Sequence, residues 1–122
     1  MLHLSPLAHT WILDVDGTLV KHNGYKLDGE DTLLPGVRAF FDSLPKRDTV
    51  ILLTARTEAD LPKLKKFLAR HGLRYNQLIG NVPVGERILV NDDKPSGLVC
   101  AYACCKKRDE ALHVDYQIHE DY

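Results

Sequence analysis

Residues 11 to 20, Trp11-Ile12-Leu13-Asp14-Val15-Asp16-Gly17-Thr18-Leu19-Val20, constrain this chain more than any other stretch: an apolar, strand-like run ends in two carboxylates on alternate residues and then a glycine. In an extended segment residues i and i+2 project to the same side, so Asp14 and Asp16 converge on one point just past the strand end. Such a point suits a cation, a phosphate or both. The chemistry that wants it is phosphoryl transfer through an aspartyl-phosphate, in which one carboxylate attacks phosphorus and a second handles the proton of the leaving group and of water. Gly17 permits a backbone conformation other residues resist, and Thr18 can hydrogen-bond locally as the chain turns. The plainer reading of a bare D-x-D is a solvated strand-end turn, and what argues against it here is the pattern of the later segments.

After that turn, Lys21 to Asp31 is polar and glycine-containing with no apolar period, and reads as a loop or small hairpin beside the first site. Pro35 suits the first turn of a helix in which Val37, Phe40, Phe41 and Leu44 share one stripe, and Pro45 ends it. Thr49-Val50-Ile51-Leu52-Leu53 is a continuous apolar run, the kind of strand covered on both faces in a parallel sheet. It leads into Thr54-Ala55-Arg56-Thr57. A second amphipathic helix follows on Leu61, Leu64, Phe67 and Leu68, with Pro62 in its first turn, Lys65, Lys66, Arg70 and His71 complementing the dipole of its last turns, and Gly72 as its cap. Leu78-Ile79 is a short strand candidate and Ile88-Leu89-Val90 a firmer one, running into Asn91-Asp92-Asp93-Lys94-Pro95. Leu98 to Cys105 offers a further strand, and His113 to Ile118 an edge strand or tail.

Strand alternating with helix predicts an α/β fold: a single Rossmann-like domain over residues 1–122, its mostly parallel sheet flanked by helices on both faces, with no cap domain. Ligands of such sheets sit beyond the carboxyl ends of the strands. Asp14 and Asp16, Thr54, and Asp92 and Asp93 all follow a predicted strand, so three segments are expected to deliver oxygen ligands and a hydroxyl to one sheet edge.

The formal net charge of -1, with acids and bases interspersed, gives no electrostatic case for nucleic acid or an anionic membrane. The local cluster Lys63, Lys65, Lys66 and Arg70 reads as a solvated helix face. No apolar run approaches the roughly 20 residues of a membrane helix, and the amino-terminal residues lack the basic region of a signal peptide, so a cytoplasmic protein is expected. Cys100, Cys104 and Cys105 fit reduced thiols, with Cys104 and Cys105 expected in buried packing. His113 and His119, dispersed among Asp115, Glu120 and Asp121, read as surface and not as a metal site.

Taken together, these residues resemble the haloacid dehalogenase-like hydrolase superfamily. Asp14-Val15-Asp16-Gly17-Thr18-Leu19-Val20 matches its first motif, Leu52-Leu53-Thr54-Ala55-Arg56 its second, and Leu89-Val90-Asn91-Asp92-Asp93 its acidic fourth, over about residues 10 to 105. The run Ile88 to Asp92, with Lys94-Pro95 and Ala101-Tyr102-Ala103, further resembles small capless members associated with capsular or surface polysaccharide biosynthesis. The resemblance implies Asp14 as nucleophile, Asp16 as general acid and then base, and Thr54 as the hydroxyl that orients the phosphoryl group, with Gly17, Thr18 and Ala55 around it. It implies magnesium on the carboxylate of Asp14, the backbone carbonyl of Asp16 and Asp92, with Asp93 behind. Hard oxygen ligands are what magnesium prefers, and the ion offsets repulsion between carboxylate and phosphate.

The superfamily's third motif, a lysine or arginine on the phosphate, has no counterpart at its usual place. Arg87 is the favoured substitute because a guanidinium holds phosphate oxygens bidentately, Lys94 is second, and Arg56 also follows Thr54. With Lys21 to Leu34 and Tyr75 to Glu86 both too short for a cap, the site is expected to be open, or covered by another subunit of a homo-oligomer. Tyr25, His22 and Lys26 are candidate substrate contacts. The expected function is a magnesium-dependent phosphatase of small phosphate monoesters, favouring a sugar phosphate. The rivals are a phosphotransferase and a catalytically impaired scaffold that binds phosphate or metal as an interaction partner.

Overall fold

The computed structural model describes residues 1–122 as five short strands and three helices. In chain order they are β1 Leu2–Leu4, β2 Thr10–Asp14, α1 Gly24–Leu27, α2 Val37–Ser43, β3 Thr49–Leu53, α3 Leu61–Arg70, β4 Gln77–Ile79 and β5 Tyr116–Ile118. The content is mixed α/β, and all three strand pairs are parallel. One sheet has the order β2-β3-β4, with Asp14 opposite Leu53 and Leu53 opposite Ile79, and the other pairs β1 with β5. Parallel strands in register end at one edge, so Asp14, Thr54 and Gly80 leave the larger sheet on the same side.

The two longer helices form where the apolar stripes lie. Val37, Phe40 and Phe41 of α2 and Leu61, Leu64, Phe67 and Leu68 of α3 are buried, and they join Leu13, Val15, Val50 and Leu52 in a core of 17 residues. Along β3 burial alternates: Val50 and Leu52 are fully buried, whereas Thr49, Ile51 and Leu53 are only partly so. On β2 Leu13 is buried and its neighbour Ile12 is 49% exposed. The expected sheet covered on both faces is therefore corrected to one closed face and one partly open face, which is why period-two burial appears in strands whose composition is continuously apolar.

The larger correction concerns residues 80 to 115, which contain no helix or strand. The expected strand at Ile88-Leu89-Val90 is absent, and these side chains are 86%, 60% and 90% exposed. Leu98 to Cys105 forms no strand either, and Cys104 and Cys105 are exposed free thiols, not packed residues. Strand propensity is realised only where a partner edge is met. The segment returns to the core at Leu112, whose amide donates to the Pro35 carbonyl at 2.9 Å. No helix is long and apolar enough to cross a membrane.

The start of β2 is strapped to the start of β3 through Asp48, which is buried. Its carboxylate accepts from the backbone amide of His9 at 3.0 Å, from His9 Nδ1 at 2.9 Å and from the Trp11 indole at 2.9 Å. Burial alone would raise its pKa, but these hydrogen bonds and the His9 charge outweigh it and hold the carboxyl below the ordinary aspartate value. A lowered folded-state value means that this stabilisation is present above the unfolded value of about 4 and is lost as pH falls through the folded one. Urea titrations between pH 5.5 and 3 are expected to show an acid loss of stability that is shallower in Asp48→Asn, which also starts from a lower plateau.

Candidate functional site

The carboxyl end of β2 runs directly into a tight turn. The amides of Thr18, Leu19 and Val20 all donate to the Val15 carbonyl, at 3.2, 2.9 and 3.2 Å, and Gly17 closes the turn by donating to the Val20 carbonyl at 2.7 Å. Gly17 sits at φ +87°, a conformation that side chains resist, and a Cβ there would lie 3.1 Å from Arg108 Cγ. Val15 is fully buried in the core while Asp14 and Asp16 on either side of it are partly exposed and face one cavity. That cavity, of about 240 Å³, is lined by Asp14, Asp16, Gly17, Thr18, Lys106 and Arg108, none of them apolar.

The neighbouring strand supplies the next groups. The Thr54 amide donates to the Ile79 carbonyl at 3.0 Å and the Thr54 carbonyl accepts from Val82 at 3.1 Å, so β4 and the residues just after it fix Thr54 from both sides. Its hydroxyl donates to Asp16 Oδ2 at 2.7 Å, while the Thr18 hydroxyl donates to Asp14 Oδ2 at 3.0 Å. Arg87 Nη2 stands 3.6 Å from Asp14 Oδ1. Burial raises the Asp14 pKa above its ordinary value, and the Asp16 charge adds to this, against the opposing Thr18 hydrogen bond and Arg87 charge.

Arg56 is engaged with acids and not with the open cavity. Its Nε and Nη2 donate to Asp16 Oδ1 at 3.1 and 2.8 Å, and Nη1 and Nη2 donate to Asp31 Oδ2 and Oδ1 at 3.1 and 2.7 Å. The Tyr25 ring lies over the guanidinium, 3.9 Å from its carbon to the centroid. Burial alone would lower the Arg56 pKa, but the hydrogen bonds and charges of Asp31 and Asp16 outweigh it and hold the group above its ordinary value. Residues 21 to 34, whose one helix is α1 and whose Leu33 forms a single antiparallel bridge to Val20, are thereby pinned against the sheet edge. Their base is closed by Lys21 donating to Thr32 and Leu34 donating to Leu19, both at 2.9 Å.

The sequence-derived site residues are thus distributed unevenly. Asp14, Asp16, Gly17 and Thr18 line one cavity, Thr54 and Arg56 bond to Asp16, Arg87 reaches Asp14, and Ala55 lies exposed between Thr54 and Arg56. Asp92, Asp93 and Lys94 are not brought there: all three are exposed on the irregular stretch, where Lys94 closes a local turn by accepting from Gly97 at 2.9 Å. Of the three proposed substrate contacts, Tyr25 covers Arg56, and Lys26 stands 5.6 Å over the Tyr25 ring. His22 donates its amide to Asp109 at 2.7 Å, and its Nδ1 is a buried atom without a partner.

Three contributors escaped the sequence reading: Asp31, Lys106 and Arg108. Asp31 sits in a polar loop like any other acid, and the basic run Lys106-Lys107-Arg108 is legible as charge but not as a neighbour of Gly17.

No group of three or more His, Cys, Asp or Glu side chains is gathered as a metal cage. Magnesium, however, commonly binds through one or two carboxylates together with substrate phosphate and water, and the hard oxygens of Asp14 and of the Asp16 backbone suit that reduced set. No family model, no curated protein and no solved structure matches this chain.

Removing the Arg56 side chain would leave two carboxylates, one of them fully buried, without a counter-charge. Arg56→Ala is expected to lower unfolding free energy by about 3–5 kcal/mol in denaturant titrations.

Proposed function

We propose that this chain is a phosphatase of small phosphate monoesters, of the haloacid dehalogenase-like kind, acting through an aspartyl-phosphate on Asp14. The observation that carries the proposal is the shared polar cavity at the carboxyl end of β2, where Asp14 and Asp16 meet Thr18 and two cations while Thr54, at the end of β3, holds Asp16 from behind. The finer fold belongs to the same proposal: a Rossmann-like parallel sheet whose strand ends carry the site, in a cytoplasmic protein.

In this mechanism an Asp14 carboxylate oxygen attacks phosphorus as the bond to the leaving oxygen breaks, and Asp16 gives that oxygen its proton. Water then attacks the phosphorus of the aspartyl-phosphate, its proton passes to Asp16, and inorganic phosphate leaves with Asp14 restored. Thr18 orients the Asp14 carboxylate, and Thr54 and Arg56 hold that of Asp16. Magnesium, held by the Asp14 carboxylate and the Asp16 carbonyl, would supply positive charge that offsets repulsion between carboxylate and phosphate. With no cap in residues 21 to 34, the cavity opens to solvent, which suits hydrolysis better than transfer to a second hydroxyl.

A second reading, a phosphate-binding scaffold without turnover, is favoured by one observation: both Asp16 oxygens already accept hydrogen bonds, from Thr54 and Arg56, so a leaving oxygen beside Asp16 meets donors already in place. Phosphate release from aryl phosphates separates the two. Asp14→Asn is expected to abolish it, and Asp16→Asn to slow it most for esters with poor leaving groups; full activity in Asp14→Asn would exclude the mechanism. Turnover is further expected to disappear with a chelator and to return on adding excess magnesium.

A further inference from the structure

The cavity beside the first turn has one wall made by a distant part of the chain. Lys106 Nζ donates to the carbonyls of Gly17 and Lys107, both at 2.9 Å, and the Asp109 amide donates to the same Gly17 carbonyl at 2.9 Å. Asp109 in turn accepts from the His22 amide at 2.7 Å, so residues 106 to 109 are fastened to both the turn and the loop after it. An ammonium has three donors, and two of those on Lys106 are taken by carbonyls, which leaves one. Arg108 takes part in none of the ion pairs of the structure, although it lines the cavity with Asp14 and Asp16. The other basic residues near the motifs are committed or remote: Arg56 to two acids, Arg87 to Asp14, Lys94 to an exposed turn.

Resting on the phosphatase reading, we propose that Lys106 and Arg108 bind the phosphate dianion of the substrate, filling the role for which no basic residue stands at the expected place in the sequence. Arg108 brings an unpaired planar fork that matches two phosphate oxygens, and Lys106 a point charge anchored on the turn that carries Asp16. Fixed positive charge there offsets the approach of a dianion to Asp14 and Asp16. A cavity without apolar lining selects esters by their phosphate and polar substituents and offers nothing to an aromatic or aliphatic leaving group.

Inorganic phosphate is the probe. Calorimetric titration of the wild type, Lys106→Gln, Arg108→Gln and the double variant is expected to show at least about tenfold weaker phosphate binding for each single change and none measurable for the double. Arg108→Lys, keeping charge without the fork, should recover part of the loss. Arg108→Gln removes no bond within the protein, so its unfolding temperature should match the wild type, which keeps the result interpretable if Lys106→Gln loosens the turn. Phosphate affinity and KM unchanged in the double variant, or no phosphate binding by the wild type at millimolar concentration, would overturn the assignment. The catalytic reading fails separately: phosphate release that survives in Asp14→Asn sinks that mechanism while a phosphate affinity dependent on Lys106 and Arg108 upholds the anion site.

Discussion

A single buried guanidinium organises the working edge of this protein. Arg56 carries four hydrogen bonds to two carboxylates and an aromatic face over its plane, and its partners come from two places: Asp16 from the turn after β2, Asp31 and Tyr25 from residues 21 to 34. A buried ion network gains little net stability, because desolvation of the charges cancels much of their attraction. Its contribution is selective. Any arrangement of residues 21 to 34 that withdraws Asp31 and Tyr25 removes two of the four hydrogen bonds and the aromatic cover of a buried guanidinium, so one loop conformation is favoured over its alternatives.

That selectivity bears on chemistry. Asp14 and Asp16 are separated by one residue yet stand in different surroundings: Asp14 has one hydroxyl donor and a guanidinium at 3.6 Å, whereas Asp16 is held on both oxygens by Thr54 and Arg56. Two carboxylates in unlike environments are suited to unlike roles, the freer one to attack and the fixed one to handle a proton at a constant position. A substrate oxygen arriving beside Asp16 must compete with Thr54 for it, and this competition is where an enzyme and a mere anion receptor on the same scaffold part company.

What could be read in the sequence divides along the same line between local and distant determinants. The stripes of α2 and α3, the apolar run of β3 and the turn at Gly17 are written within a few residues of one another, and the structure has each element where its pattern lies. The pairing of Thr54 with the first turn also follows once two parallel strands are placed side by side. Ile88-Leu89-Val90 has the composition of a strand, but composition does not specify an edge to pair with, and the chain passes through this stretch without meeting one. Asp92 and Asp93 depended on that strand for their position and went with it. Lys106 and Arg108 were hidden for the opposite reason: their contacts to Gly17 are made by an irregular segment whose path no periodicity records.

Two of the places where the irregular segment meets the rest of the chain are glycines at positive φ. At Gly17 it approaches closely enough that a Cβ would stand 3.1 Å from Arg108, and at Gly36, φ +85°, a Cβ would fall 2.2 Å from the Leu112 carbonyl oxygen. The two contacts differ in kind. Arg108 Cγ belongs to a flexible side chain that can give way, whereas the Leu112 carbonyl is backbone of a residue whose amide is tied to the Pro35 carbonyl. Gly36 thus fixes where the chain rejoins the core, and Gly17 sets how near its basic residues come to the acids of the first turn. The cationic wall of the cavity depends on close approach at these two positions, by a side chain at Gly17 and by backbone at Gly36, which is how a segment without helix or strand can still complete a site built at the end of a sheet.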